Sequence, residues 1–197
     1  KERCSLVAVF GMGGIGKTAL AAQLVRSLTH DFEVVIWRSL LNAPLLTDLL
    51  RRWTEILSSP EVIRPPSNLD EQLDLVFVYL KSKRCLLVLD NLESLLLDGG
   101  YAGSYRDGYE DYEQLFLRFG KSEHNSCLVF TSREKPNEFS RFERDGIPTV
   151  KSLHLTGIDA EAGLAIMQEV GLTAPRETAI TLIERYSGNP LALRLVS

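Results

Sequence analysis

The residues best suited to chemistry lie in two short runs. The first is GMGGIGKT, Gly11 to Thr18, with the spacing glycine, four residues, glycine, lysine, hydroxyl residue. Its glycines let the backbone fold with N–H groups turned inward around an anion, and a helix starting here adds partial positive charge from its N-terminus. Lys17 then offers a point charge to terminal phosphates, and Thr18 a hydroxyl ligand for Mg²⁺. The second run is CLLVLDNLE, Cys85 to Glu93, in which five apolar residues end abruptly in Asp90. A carboxylate closing a buried strand is costly unless a cation meets it, so Asp90 is expected to hold the same Mg²⁺ through water. The competing readings are a glycine turn that only lets strand and helix pack, and a helix-capping role for Asp90.

These residues need elements to position them. SLVAVF, 5–10, is an apolar run of strand length directly before the glycines, and Leu20, Ala21, Leu24, Val25 and Leu28 after them predict a helix with one buried side. FEVVIW, 32–37, predicts a strand. Pro44 opens a helix whose face is Leu45, Leu49, Trp53 and Ile56, ending at SSP, 58–60, and followed by a polar Pro-Pro loop. LDEQLDLVFVYLKSK, from Leu69, reads as a third helix leading into the Asp90 strand. Further strands are expected at 126–132 and 150–155. Nearly all-apolar strands alternating with helices predict an α/β fold, a parallel sheet sandwiched by helices. From Asp159 onward only helices are expected: one capped by Asp159 and stopped by Gly171, one from Pro175 with Ala179, Leu182, Ile183 and Tyr186 on a face, one entered at Pro190. The chain therefore divides into a nucleotide-binding domain, 1–155, and a small all-helical domain, 156–197. Between two strands, 98–119 holds four of the six tyrosines. Gly103 and Gly108 keep its front half loop-like, while Tyr112, Leu115, Phe116 and Phe119 fit a helix. It reads as an insertion packing on itself, or as a partner surface.

A formal charge of −4 in 197 residues, with Lys and Arg scattered, leaves no basic stripe, so nucleic acid is not an expected partner. No apolar run reaches the length a membrane span needs, and nothing resembles a secretory leader, so the expected address is cytoplasmic. Cys4, Cys85 and Cys127 each begin an apolar run and read as reduced core thiols. His30, His124 and His154 read as solvated or edge residues. Elements expected to run to both ends predict a segment of a longer protein.

Taken in order, GMGGIGKTALA (11–21), VVIWRSL (34–40), CLLVLDNLE (85–93), SCLVFTSRE (126–134) and YSGNPLAL (186–193) resemble the NB-ARC family within the STAND class of signalling ATPases. That class includes plant resistance proteins, apoptosome-forming factors and bacterial multidomain regulators. The resemblance implies a P-loop NTPase sheet in which the 126–132 strand lies between the glycine-loop strand and the Asp90 strand. It also implies ATP or ADP with Mg²⁺ as ligands, the phosphates lined by Gly11, Met12, Gly13, Gly14, Ile15, Gly16, Lys17, Thr18 and Ala19. Arg133 resembles the sensor arginine that touches the terminal phosphate, and Pro190, with Leu191, the helical-domain contact to adenine. A surface arginine and an ordinary first-turn proline are the plainer alternatives. The chain departs from the family at Asn91, where many members carry a second acid as presumed base. Glu93 is the candidate to replace it, against a role as a dipole-complementing residue starting the next helix.

Functionally, the resemblance implies a nucleotide switch with slow hydrolysis, self-association in the ATP form, and further effector and sensor domains in the same longer chain. The small helical domain would be the first part of a truncated ARC region. The alternatives are a conventional turnover ATPase or AAA-like motor, or a nucleotide binder that does not hydrolyse. A kinase would need a second-substrate site that the sequence does not display, and there is no Asn-Lys-x-Asp guanine reader.

Overall fold

The computed structural model describes residues 4–58, 66–99, 103–172 and 174–196. In chain order the elements are β1 (Leu6–Phe10), α1 (Lys17–Leu28), β2 (Val34–Ser39), α2 (Leu46–Leu57), α3 (Leu69–Ser82), β3 (Cys85–Asp90), α4 (Asp111–Lys121), β4 (Cys127–Ser132), α5 (Asn137–Asp145), β5 (Val150–His154), α6 (Ala160–Glu169), α7 (Arg176–Arg185) and α8 (Pro190–Val196). All four strand pairings are parallel, in the order β2-β3-β4-β1-β5. The fold is therefore the α/β P-loop sheet expected, with β4 between β1 and β3.

Side chains alternate across the pleat, and this sorts the strands into two cores. Leu6, Ala8, Phe10, Ile36, Leu87, Leu89, Leu128 and Phe130 face α2 to α5 in the larger core. Val9, Leu86, Val88 and Val129 face α1 in the smaller one. β3 is buried at every position, which is why it reads as a continuous apolar run. Phe10, Phe116, Phe130, Phe139 and Phe142 meet edge to face or tilted, with centroids 4.8 to 6.2 Å apart, joining α4 and α5 to the sheet. Each of these rings contributes about 2–3 kcal/mol through its burial.

Several local expectations need correction. Leu45 is extended (φ −66°, ψ 146°) after a left-handed turn at Ala43, so α2 starts at Leu46 and not at Pro44. Its buried stripe is Leu46, Leu49, Leu50, Trp53 and Leu57, and Leu45 and Ile56 are exposed. Leu20 also lies outside the buried face of α1, which meets the sheet through Ala21, Leu24, Val25 and Leu28. His124 is not solvated: it is buried, with ring centroids 5.6 Å from Phe77 and 4.9 Å from Phe119, filling the core as an aromatic would. Cys85 is buried, but Cys4 and Cys127 are only half-buried and line one apolar cavity at the N-terminal edge of the sheet. Burial, with Cys4 nearby, pushes the Cys127 thiol up to about 12.

The tyrosine-rich insertion does not pack on itself. Tyr112, Leu115, Phe116 and Phe119 enter the main core, and the hydroxyls of Tyr109 and Tyr112 donate to the carbonyls of Ala43 and Pro44. Tyr101, most of the Pro-Pro loop and Ser197, to which the last helix was expected to reach, lie outside the described residues. Among the described residues no helix is long and apolar enough to cross a membrane.

In the helical portion, Asp159 caps α6 by accepting from the Ala162 N–H at 2.8 Å, and Gly171 follows with φ +84°. Met167, Ala179, Ile183 and Leu193 form its own small core.

Candidate phosphate-binding site

The site stands at the C-terminal edge of the sheet, where parallel strands deliver their last residues into a crevice. Gly14 (φ +76°) and Gly16 (φ +105°) take left-handed conformations that turn the chain from β1 into α1. No side chain caps α1 and its first turn holds no acid, so its N-terminal N–H groups remain available to an anion. A Cβ on Gly16 would meet nothing within 4 Å, leaving open space at the helix entrance.

Lys17 is only 7% exposed, and its Nζ donates to the carbonyls of Gly11 (2.8 Å) and Met12 (3.1 Å). Burial lowers its pKa from the ordinary lysine value; Glu93 and Asp90 oppose that shift and Arg133 adds to it. Charged groups from the end of β3, the turn after it and the residue after β4 therefore all act on Lys17. The sequence had brought together only Lys17 and Asp90 by chemistry alone.

Asp90 is 5% exposed, and the Thr18 hydroxyl reaches both its oxygens, at 3.0 and 3.1 Å. A hydroxyl and a carboxylate held together beside a loop of N–H groups suit a hard cation bound to a polyphosphate. Asn91 is left-handed (φ 66°), a conformation asparagine tolerates, and it turns the chain into the short 3-10 turn Leu92–Leu95. That turn carries Glu93 back toward β4. There the Arg133 Nε lies 3.3 Å from Glu93 Oε1, and the Arg133 backbone N–H donates to Oε2 at 3.3 Å. The guanidinium of Arg133 also sits over the glycine loop, with its atoms 3.0–3.2 Å from where a Cβ on Gly13 would lie. A polar cavity of about 530 Å³ opens beside this pair, with Asn91 and Arg106 among its lining residues.

The helical portion closes on the loop from another side. The Asn189 side chain donates to the Gly13 carbonyl (2.8 Å), and its Oδ1 accepts from the N–H groups of Leu191 and Ala192, both at 3.1 Å, capping α8. Leu191 packs so tightly on Gly14 that a Cβ there would lie 2.6 Å from its own Cβ. Pro190 begins α8 beside this contact, whereas Ala19 and Met12 are exposed.

Two residues escaped the sequence reading. Asn189 had a usable signal, an amide residue directly before a proline-started helix. Thr131 had a weaker one: it is the hydroxyl residue next to last in a strand otherwise apolar up to that point, and its role depends on β4 pairing with β3.

Comparison with known proteins adds to this geometry. The family model described as the NB-ARC domain matches residues 1–98, the stretch carrying the glycine loop, Asp90 and Glu93. Residues 1–98 of the chain belong to the NB-ARC domain family. The chain is 39% identical over its full length to an uncharacterized WD repeat-containing protein of Nostoc sp., of which it covers 16%. It is 31% identical over 94 residues, 44% of its length, to the disease resistance protein RPM1 of Arabidopsis thaliana, covering 10% of that protein. It thus spans a small part of both relatives. A Signal Transduction ATPase with Numerous Domains with a tetratricopeptide repeat sensor, from Pyrococcus horikoshii, shares the fold at TM-score 0.69 and 17% identity, over 97% of this chain and 27% of that one. By the family match, residues 1–98 are a nucleotide-binding module of the NB-ARC type.

Proposed function

We propose that this module is an adenine-nucleotide switch that binds ATP or ADP with Mg²⁺, hydrolyses ATP slowly, and controls self-association within a longer multidomain signalling chain. The observation that carries the reading is the Glu93–Arg133 pair beside Lys17. The candidate base and the candidate sensor hold each other at the place where the glycine loop would present a terminal phosphate.

The residues present fit such a ligand. Gly11 to Ala19 would hold the phosphates, Thr18 and Asp90 would hold Mg²⁺, and the bound metal would supply charge neutralisation on the phosphate oxygens. Lys17 now spends its hydrogen bonds on two loop carbonyls, and an anion would draw it out and favour its charged form. The Arg133 guanidinium meets Glu93 through Nε and already lies beside the loop at Gly13, so an anion there would compete with Glu93 for it. With Oε1 released in that competition, Glu93 would be placed to take a proton from water.

The switch needs unequal contact with two ligands. Arg133, on the sheet, would sense a terminal phosphate, while Pro190 and Leu191, on α8, would meet the base. Because α8 is tied to Gly13 and Gly14 through Asn189 and Leu191, a change in the loop has a direct route to the helical portion. Turnover well below about one per second fits this role, and a motor or kinase would run at about 1 to 100 per second.

The test is to identify by mass spectrometry the nucleotide that co-purifies with the chain, then compete ATP, ADP and GTP for the site. Adenine nucleotide is expected, with Mg²⁺-dependent binding that Lys17→Ala weakens about tenfold or more. No magnesium-dependent uptake of either adenine nucleotide at millimolar concentration would overturn the reading.

A further inference from the structure

Asp90 does not choose its own orientation. Thr131 on the neighbouring strand is fully buried, and its hydroxyl donates to Asp90 Oδ1 at 2.5 Å while accepting the Asn91 backbone N–H at 3.0 Å. A hydroxyl has one proton to give, so both of its directions are assigned: the proton goes to the carboxylate and a lone pair takes the amide. Resting on the nucleotide-switch reading, we propose that Thr131 is a positioning residue. It sets which face of the Asp90 carboxylate is offered to the metal, and fixes the turn that carries Glu93.

The tertiary setting makes this a specific device. Continued one step past the pair Leu89 and Phe130, the β3–β4 register brings Asp90 level with Thr131. Both side chains point to the α1 face, in columns that run Leu86, Val88, Asp90 and Val129, Thr131. At the foot of each column the residues are apolar and pack under α1. At the top, where the glycine loop begins, the carboxylate and the hydroxyl pair with each other.

A valine at 131 would keep the shape and β-branching of threonine, and would pack as Val129 does one step down the column. It would take a bond from Asp90 Oδ1 and leave the Asn91 N–H without that acceptor. Among the described residues Thr18 alone would then hold the carboxylate, through a single proton shared between two oxygens, and the side chain could rotate away from the metal-supporting pose. The same loss would release the left-handed Asn91 backbone, from which the turn toward Arg133 starts. Among the described residues the Lys17 bonds within the Gly11–Lys17 cradle involve no atom of Thr131, and ADP lacks the terminal phosphate that Arg133 would sense, so affinity for ADP without metal should change little.

The experiment is a titration of the whole chain with a fluorescent ADP analogue, in EDTA and in Mg²⁺, for wild type, Thr131→Val and Thr131→Ser. The ratio of the two affinities is the readout. Affinity in EDTA should agree within about twofold across the three proteins, while the Mg²⁺ enhancement falls about tenfold in the valine variant and returns in the serine variant, the scale of one charge-assisted hydrogen bond. A merely structural threonine would lower the melting temperature and move both affinities together. If the valine variant does not fold, Thr131→Ala against Thr131→Ser makes the same comparison of hydroxyl removed against hydroxyl kept. A wild-type enhancement that survives in the hydroxyl-free variant overturns the positioning role alone. A wild type with no Mg²⁺ enhancement overturns the switch reading and this role with it.

Discussion

Glu138 offers a test of how the tyrosine-rich insertion is anchored. It lies in the first turn of α5, is 1% exposed, and its Oε1 accepts the Tyr105 hydroxyl at 2.5 Å. Burial pushes its pKa from 4.5 up to about 7; the Tyr105 bond and Arg141 act the other way, and Glu113 adds to the rise. The folded chain therefore holds this proton over a pH range in which the unfolded chain has lost it. Its contribution is fully present below about pH 4.5, declines as pH rises through about 7, and is level above that. The interval from 4.5 to about 7, at about 1.4 kcal/mol per pH unit, puts the full loss near 3 kcal/mol. Glu138→Gln keeps an acceptor for Tyr105 and removes the titration. Urea unfolding of the two proteins should give stabilities that differ by a constant amount near pH 4.5 and diverge in favour of glutamine by about 3 kcal/mol by pH 8. A difference that does not change with pH would show that Glu138 is not the buried acid the packing describes, and the account of the insertion as part of the main core would lose this support.

Three further outcomes follow from named contacts. Gly14→Ala would force a side chain into a left-handed position and against Leu191; a stability loss of about 1–2 kcal/mol and faster proteolysis around α8 are expected, and unchanged proteolysis would refute the tight contact. Asn189→Ala removes a bond to Gly13 and the cap of α8, worth about 1–2 kcal/mol together, and should speed hydrogen exchange at the amides of Leu191 and Ala192. Glu93→Gln should abolish slow ATP turnover while leaving ADP affinity within about twofold; turnover equal to wild type would remove Glu93 as the base.

Much of the site was legible because its chemistry is local. The glycine spacing puts Lys17 and Thr18 on the first turn of the helix it starts, whatever the rest of the chain does. Likewise the apolar run that ends in Asp90 announces its own burial. The parts that were not legible depend on partners distant in sequence. Thr131 and Asp90 are 41 residues apart, and Asn189 and Gly13 are 176 apart. Periodicity read the inward side of α2 in part: Leu49 and Trp53 are buried as expected, whereas Leu45 stands before the helix in extended backbone after left-handed Ala43, and Leu57 takes the buried place expected of Ile56.

By itself, then, the order of residues determined the element types, the glycine cradle with its lysine, the acid that ends β3 and the arginine that ends β4, because each follows from spacing within about ten residues. Only the tertiary structure decided that Arg133 rests on Glu93, that a buried hydroxyl holds Asp90, that His124 and the insertion belong to the main core, and that α8 grips the glycine loop. Those contacts are set by which strands become neighbours. Strand order is a property of how two faces of a sheet are jointly buried, and no local window of sequence contains it.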